Sequence, residues 1–273
     1  MENDKALHGS SEPDQNNNGS LSSTDTESAA YRKVTRRLLP LLLASYILAY
    51  LDRVNVSFAK LQMAVDLGFS DLIYGTGAGL FYIGYFLFEV PSNIILHRIG
   101  ARIWIARIMI TWGIISTSMM FIANVSTFYV LRFFLGVAEA GFFPGIILYL
   151  TYWYPAHRRA RIISLFMLGI PMAGILGGPL SGWIMRDFDQ LMGLRGWQWM
   201  FFVEAIPSII MGLILLRFLD DGIRDAAWLT DHERILLQEN IARDESTKEK
   251  TPALLILKSP RVWILSVIYF TVG

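Results

Sequence analysis

"YLDRVNVSFA", residues Tyr50 to Ala59, decides how this chain is read. It follows "RRLLPLLLASYILA", which is apolar from Leu38 onward. A helix from Leu38 that stopped at Leu51 would rise only about 21 Å at 1.5 Å per residue, well short of a bilayer core of about 30 Å. The helix is therefore expected to continue through Asp52 and Arg53 toward Ala59, which places two opposite charges in the outer half of a membrane. An ionised side chain at mid-bilayer costs roughly 2.5–3.5 kcal/mol on insertion scales, so such residues face a bundle interior or a wet cavity and keep a partner.

The same pattern recurs along the chain. Of 273 residues, 53% are hydrophobic and 17% charged, against roughly 25% charged in a soluble domain, and mean hydropathy is +0.42. Apolar blocks of about 20 residues alternate with charged connectors, which reads as an all-α multi-pass membrane protein. Six complete spans are expected, at 38–60, 73–96, 103–123, 127–152, 162–184 and 199–219, forming a six-helix bundle over 38–219. A seventh begins near Pro260 in segment 259–273 and is truncated at Gly273, short of the roughly 20 residues a crossing needs. Residues 1–37 are rich in Ser, Asn, Asp and Gly; with too little apolar surface to fold, they are expected to be a disordered tail. Residues 220–258 read as a polar linker, in which Thr230 and Glu233 have capping-box spacing and Ile235, Leu236 and Ile241 mark a short amphipathic helix.

Orientation follows the connectors. Arg32, Lys33, Arg36, Arg37, Arg98, Arg102, Arg158, Arg159 and Arg161 fall on one side, and only Lys60, Arg186 and Arg195 on the other. The positive-inside bias puts the N-terminus and residues 220–258 in the cytoplasm. The net charge of +1 says nothing about partners, because charge is segregated rather than biased; no nucleic-acid partner is expected, and the chain has no cysteine for disulfides or thiolate metal sites. His97 and His232 have no metal-ligand partners at useful spacing, and no nucleophile–base set or phosphate loop stands in a connector. Neither an enzyme nor a cofactor is expected; oligomeric state is not legible.

Charges within the spans are functional candidates by default. Asn55, three residues after Asp52, shares its helix face. In "FYVLRFFLGVAEAGFFPG", Arg132 and Glu139 stand seven apart, which is about 10 Å along one side of a helix, with Gly136 between them leaving room for a ligand or a neighbouring helix. Asp52, Arg53, Arg132 and Glu139 are thus expected to converge in one cavity, with a structural ion-pair network as the second reading. Tyr82 and Tyr85 either present hydroxyls to that cavity or pack as rings. Gly75 and Gly79 have close-packing spacing. Glu89 is expected to pair with Arg98 or Arg102, and the Gly- and Pro-dense "GIPMAGILGGPLSG" to kink and pack. Asn124-Val125-Ser126 fits a glycosylation sequon on an outer connector.

From about Arg36 onward the chain resembles the major facilitator superfamily, and more narrowly its anion:cation symporter family of tartrate-, phthalate-, galactonate- and hydroxyphenylacetate-type permeases. The resemblance rests on "YLDRVNVSFA", "GYFLFEVPSNIILHRIGARIWIARIMITWG", "LRFFLGVAEAGFFPGIILYLTYWYP" and "RARIISLF" taken together. The connector after the second span is a weak form of the superfamily's Gly-x-x-x-Asp-Arg-x-Gly-Arg-Arg motif, with Asn93 at the Gly position and His97 at the Asp position. The resemblance implies Asp52 and Glu139 as proton-coupling carboxylates and Arg132 as the group that binds a substrate carboxylate. It further implies that Arg53 pairs with the coupling Glu and responds to the anion, and that Tyr85 lines the site. Tyr82 and Asn55 complete the expected substrate-binding set.

The implied fold is the N-terminal half of a twelve-span carrier, two inverted three-helix repeats, with the site between halves. The implied activity is proton-driven uptake of a small organic anion across a lipid bilayer, the bacterial inner membrane. The chemistry agrees: Arg offers a rigid bidentate fork for a carboxylate, and an anion that competes for an Arg links its binding to a nearby carboxylate's proton. A non-transporting or truncated membrane protein, and an exporter or neutral-solute carrier of the same fold, are the alternatives.

Overall fold

The computed structural model describes residues 16–246 together with Ser259, Pro260, Trp263 and Ile264; the rest of the expected seventh helix lies outside the described residues. Nine α-helices occur among them: α1 (Asn16–Leu67), α2 (Asp71–Ile99), α3 (Ala101–Ser118), α4 (Val125–Glu139), α5 (Phe142–Thr151), α6 (Ala156–Met167), α7 (Gly169–Asp187), α8 (Gly196–Phe218) and α9 (Asp231–Ser246), with no strand. Six stretches are long and apolar enough to cross a membrane: α1, α2, α3, α4 with α5, α6 with α7, and α8.

Prolines explain the two divided spans. A proline lacks the N–H that would reach the carbonyl four residues back, and its ring crowds that carbonyl. Pro144 does this to Ala140, and the chain turns there through Gly141 at φ +84° before α5 begins. Pro171 does it to Met167, the last residue of α6. Helix starts are equally local. Asn124 caps α4 by accepting from the Thr127 amide at 2.9 Å, so the side chain of the sequon Asn serves as a cap.

The packing order is informative. α2 lies along α4, α7 along α1, α4 and α1 each also touch one end-helix (α3 and α8), and α3 lies along α8. Exchanging the first span with the fourth, the second with the fifth and the third with the sixth reproduces this set of neighbours, as two related three-helix units require. α1 and α4 are the corresponding helices, and neither packs along the other.

Several expectations are corrected. From Asn16 the presumed tail is helix, continuous with the first span. Ala30, Tyr31 and Val34 are buried in line with Leu38 and Leu42; composition counts polar residues, whereas folding here depends on the spacing of a few apolar ones. That stripe docks beside α9 and the start of α6: Lys33 bonds Glu233 at 2.8 Å, Arg158 bonds Glu27 at 2.9 Å, and the Tyr31 ring stacks on Tyr154. The Thr230–Glu233 capping box forms at 2.8 and 3.2 Å. The buried side of α9, however, is Leu237 with Ile241, while Ile235 points outward. On α2 the close-packing glycines are Gly77 and Gly84, which face Phe128 and the Phe133 carbonyl; Gly75 and Gly79 lie on the other side with nothing within 4 Å. Among the described residues Glu89 makes no ion pair with Arg98 or Arg102; its carbonyl accepts from Asn93.

Candidate functional site

Adjacent residues on a helix point about 100° apart, and that step sends Asp52 and Arg53 to different neighbours. Asp52 is 1% exposed and turns toward α3, where it accepts from the Trp112 indole and the Ser116 hydroxyl. Trp112 and Ser116 stand one turn apart, so α3 presents both to one carboxylate. Asn55 donates a third bond at 2.9 Å.

Arg53 turns the other way, bridges the space between α1 and α4 and donates to Glu139. Its guanidinium carbon lies 5.5 Å from the Tyr85 ring centre and 5.9 Å from that of Phe81. Glu139 is 3% exposed and is the last residue of α4 before the break, so the division of the fourth span lies next to the ion pair. Arg132, 4% exposed, sits on the same side of α4 with its guanidinium carbon 4.8 Å from the Phe81 ring. It forms no ion pair among the described residues, and its Nε has no hydrogen-bond partner. Phe81 therefore lies under two guanidiniums, one paired and one not; cation–π attraction holds each without neutralising it. α2 and α4 come this close because of Gly136, where a Cβ would run into the Phe81 carbonyl. The room that this glycine leaves is thus taken by a neighbouring helix.

By their direct contacts the seven expected residues fall into two neighbouring groups, with Asp52 still acting through space on Glu139 and Arg132. Arg53, Arg132, Glu139 and Tyr85 gather around Phe81. Tyr82 is beside them at the surface, 60% exposed, its ring set edge-on to Phe81 at 5.2 Å. Asp52 and Asn55 belong to the second group, on the α3 and α8 side. That group holds a residue absent from the expected set: Glu204 of α8, 4% exposed, whose Oε1 accepts from Ser181 of α7 at 2.6 Å. The signal was present, since a lone Glu inside "WMFFVEAIPSII" obeys the same rule that marked Asp52. Trp112, Ser116 and Phe81 had no such mark, because they are ordinary in apolar spans. In the connector between α2 and α3, His97 Nδ1 is hydrogen-bonded to the Tyr152 hydroxyl at 2.9 Å, and Asp221 accepts from the Arg102 amide at 2.8 Å. These contacts occupy the place where the motif has its Asp.

Comparison with known proteins agrees with this architecture. A family described as Major Facilitator Superfamily matches residues 42–273. A protein named as a metabolite transport protein, NicT of Pseudomonas putida, is 55% identical over 218 residues, covering 80% of this chain and 50% of that one. A protein of Agrobacterium vitis named for tartrate transport is 51% identical over 248 residues, covering 90% and 55%. A quinolone resistance transporter of Acinetobacter baumannii is 43% identical over 251 residues, covering 91% and 58%. The chain thus spans about half the length of the curated relatives it matches. Among solved structures, a bacterial homolog of the human lysosomal transporter Spinster, inward-facing and occupied, has a TM-score of 0.61 at 24% identity over 68% of this chain and 44% of that one. The xylose transporter XylE of E. coli, partially occluded and inward open, gives 0.59 at 15% identity over 76% and 55%.

Proposed function

The chain belongs to the Major Facilitator Superfamily, and from that premise we propose that it serves proton-coupled uptake of an organic carboxylate anion, as the N-terminal bundle of an anion:cation symporter. The carrying observation is the contrast between two buried arginines on one aromatic ring. Arg53 is neutralised by Glu139, and Arg132 is left without a counter-ion among the described residues. A buried cation without a counter-ion is costly unless something supplies one. A carboxylate anion fits, because the guanidinium fork takes it bidentately.

In this reading the anion enters past Tyr82, binds Arg132 and competes with Glu139 for Arg53. Protonation of Glu139 releases Arg53 to the anion; loss of that proton restores the ion pair and expels the anion. Tyr85, stacked beside Arg53, lines the path. Asp52 is the second coupling carboxylate, and its three donors hold it in one orientation. The arginine-rich end of the bundle, with residues 220–246, faces the cytoplasm of a bacterial cell. The open sides of α2 and α7, including Gly75, Gly79, Gly174 and Gly182, each with nothing within 4 Å, are where a second bundle closes the cavity.

Export is the competing reading, favoured by the relative named for quinolone resistance. Uptake of labelled organic acids by cells expressing the gene, with and without a protonophore, separates the two. Accumulation that collapses with the proton gradient supports import; extrusion, or accumulation indifferent to the protonophore, contradicts it.

A further inference from the structure

We propose that Glu204 is a second proton-holding carboxyl that works as a pair with Asp52, on the side of the bundle away from Arg53, Arg132 and Glu139. The inference rests on the transport reading above for its purpose, but on separate residues for its evidence.

Three spans bring the pair together. Asp52 and Asn55 come from α1, Glu204 and Ser208 from α8, and Ser181 from α7. Every one of these side chains is at least nine-tenths buried. Asn55 holds Asp52 at 2.9 Å, and from α1 the Asp52 charge and the Asn55 dipole both reach Glu204. Glu204 uses one oxygen, Oε1, to accept from Ser181; among the described residues its other oxygen, Oε2, has no hydrogen-bond partner, and neither has the Ser208 hydroxyl one turn along the same helix.

The donors are unequally shared. Asp52 accepts from Trp112, Ser116 and Asn55, an environment suited to a carboxylate. Glu204 has one hydroxyl donor and no cation. The titratable group that faces it is Asp52, on α1; α7 faces it with Ser181, and no Lys, Arg or His from α3 or α7 reaches it. Two carboxyls that share a buried site without a cation do not both ionise freely; one keeps a proton, and the two titrate as a unit. A bare, buried Glu204 oxygen is where a proton is held. Arg53 is spent on Glu139; from α4, Arg132 and Glu139 act on Asp52 through space, but no guanidinium bonds either acid among the described residues. A proton is thus held on the α3, α7 and α8 side, apart from the one that Glu139 exchanges beside the anion.

The test is infrared spectroscopy of the purified chain in nanodiscs, titrated with acid and base, which needs no substrate. A protonated carboxyl has a carbonyl stretch separate from that of a carboxylate. The wild type should show such bands lost in two steps. Glu204→Gln should remove one band and leave a single step for Asp52 at a displaced pH, and Asp52→Asn should do the reverse for Glu204. Ser181→Ala should move the Glu204 band itself, because it removes the one hydrogen bond on that group; a Glu204 that stays ionised gives no such band to move. A spectrum unchanged by Glu204→Gln, or a remaining step that stays at its wild-type pH in both variants, overturns the proposal. Failure of proton-driven uptake in cells would count against the transport reading alone, since the infrared result does not depend on it.

Discussion

Replacing Arg132 by Gln is expected to cut anion affinity sharply while leaving the bundle about as stable as before, whereas Arg53→Gln is expected to destabilise the bundle. Arg132 has Phe81 as its aromatic contact and no ion pair to lose. Its removal forfeits a cation–π contact of about 0.5–2 kcal/mol and relieves the burial of an unpaired charge, so the net change in stability stays within about 1 kcal/mol. Removing Arg53 strands Glu139, which is only 4% exposed at its side chain. Breaking a fully buried pair costs about 3–5 kcal/mol. The Arg53 side chain keeps 31% of its exposure, so solvent screening reduces this to roughly 2–3 kcal/mol. At about 2–4 °C per kcal/mol for a chain of this size, Arg53→Gln lowers Tm by roughly 4–12 °C, and Arg132→Gln by a few degrees at most.

Loss of Arg132 acts on anion binding instead. A charge-assisted bond to a carboxylate is worth about 1.5–3 kcal/mol, so loss of Arg132 weakens anion binding about 10- to 150-fold. Arg132→Lys keeps the charge but loses the fork and falls between. Tm by thermal shift and KM by uptake, taken on the same three variants, supply the comparison. The reasoning is refuted if Arg132→Gln leaves KM unchanged, or destabilises the protein as much as Arg53→Gln does.

Other expectations follow from packing and from the docked terminal segments. Gly136→Ala sets a methyl group against the Phe81 carbonyl and should destabilise the bundle by about 1–3 kcal/mol, whereas Gly79→Ala in this 273-residue chain meets nothing and should gain up to about 1 kcal/mol of helix stability; thermal melts of both variants check the pair. Thr230→Ala removes half of the capping box and should loosen the start of α9 by about 1 kcal/mol, read as faster amide exchange there. At Glu233, burial pushes the pKa up, but hydrogen bonds from Lys33 and Thr230 outweigh it and hold the carboxyl below its ordinary value. The docking of α9 on α1 is therefore fully present above about pH 4.3 and is lost as pH falls through the lowered value. Acidification should lower the protection of α9 amides relative to their intrinsic exchange in the wild type, and protection in Glu233→Gln should start lower and respond less.

What the sequence disclosed depended on how far a residue stood out from its surroundings. Asp52, Arg53, Arg132 and Glu139 are charges in apolar runs, so their number and their helices were legible, as were the six spans. Their division into two groups was not, because it depends on which neighbour each face meets once α1 packs on α7 and α8 while α2 packs on α4. Gly75 and Gly79 illustrate the same limit: a spacing of four marks a face without saying what covers it, and Gly77 and Gly84, with no such spacing, carry the contact. Phe81 is one aromatic residue among many, and only its place under two guanidiniums distinguishes it. The helical start of α1 was hidden by composition, since Ala30, Tyr31 and Val34 are too few to register except as a stripe leading into Leu38 and Leu42. Glu204 was legible by the rule that singled out Asp52; its partners Ser181 and Asn55, from two other spans, were not.

The central claim is that Glu139 exchanges Arg53 for a proton when the anion binds. It is tested most directly by Glu139→Gln in proteoliposomes, comparing proton-driven accumulation of the anion with counterflow exchange at equal pH on both sides. The account predicts that driven accumulation disappears while counterflow survives at a measurable rate, because a neutral side chain leaves the binding arginines free but carries no proton across. Driven accumulation that persists in Glu139→Gln would contradict it.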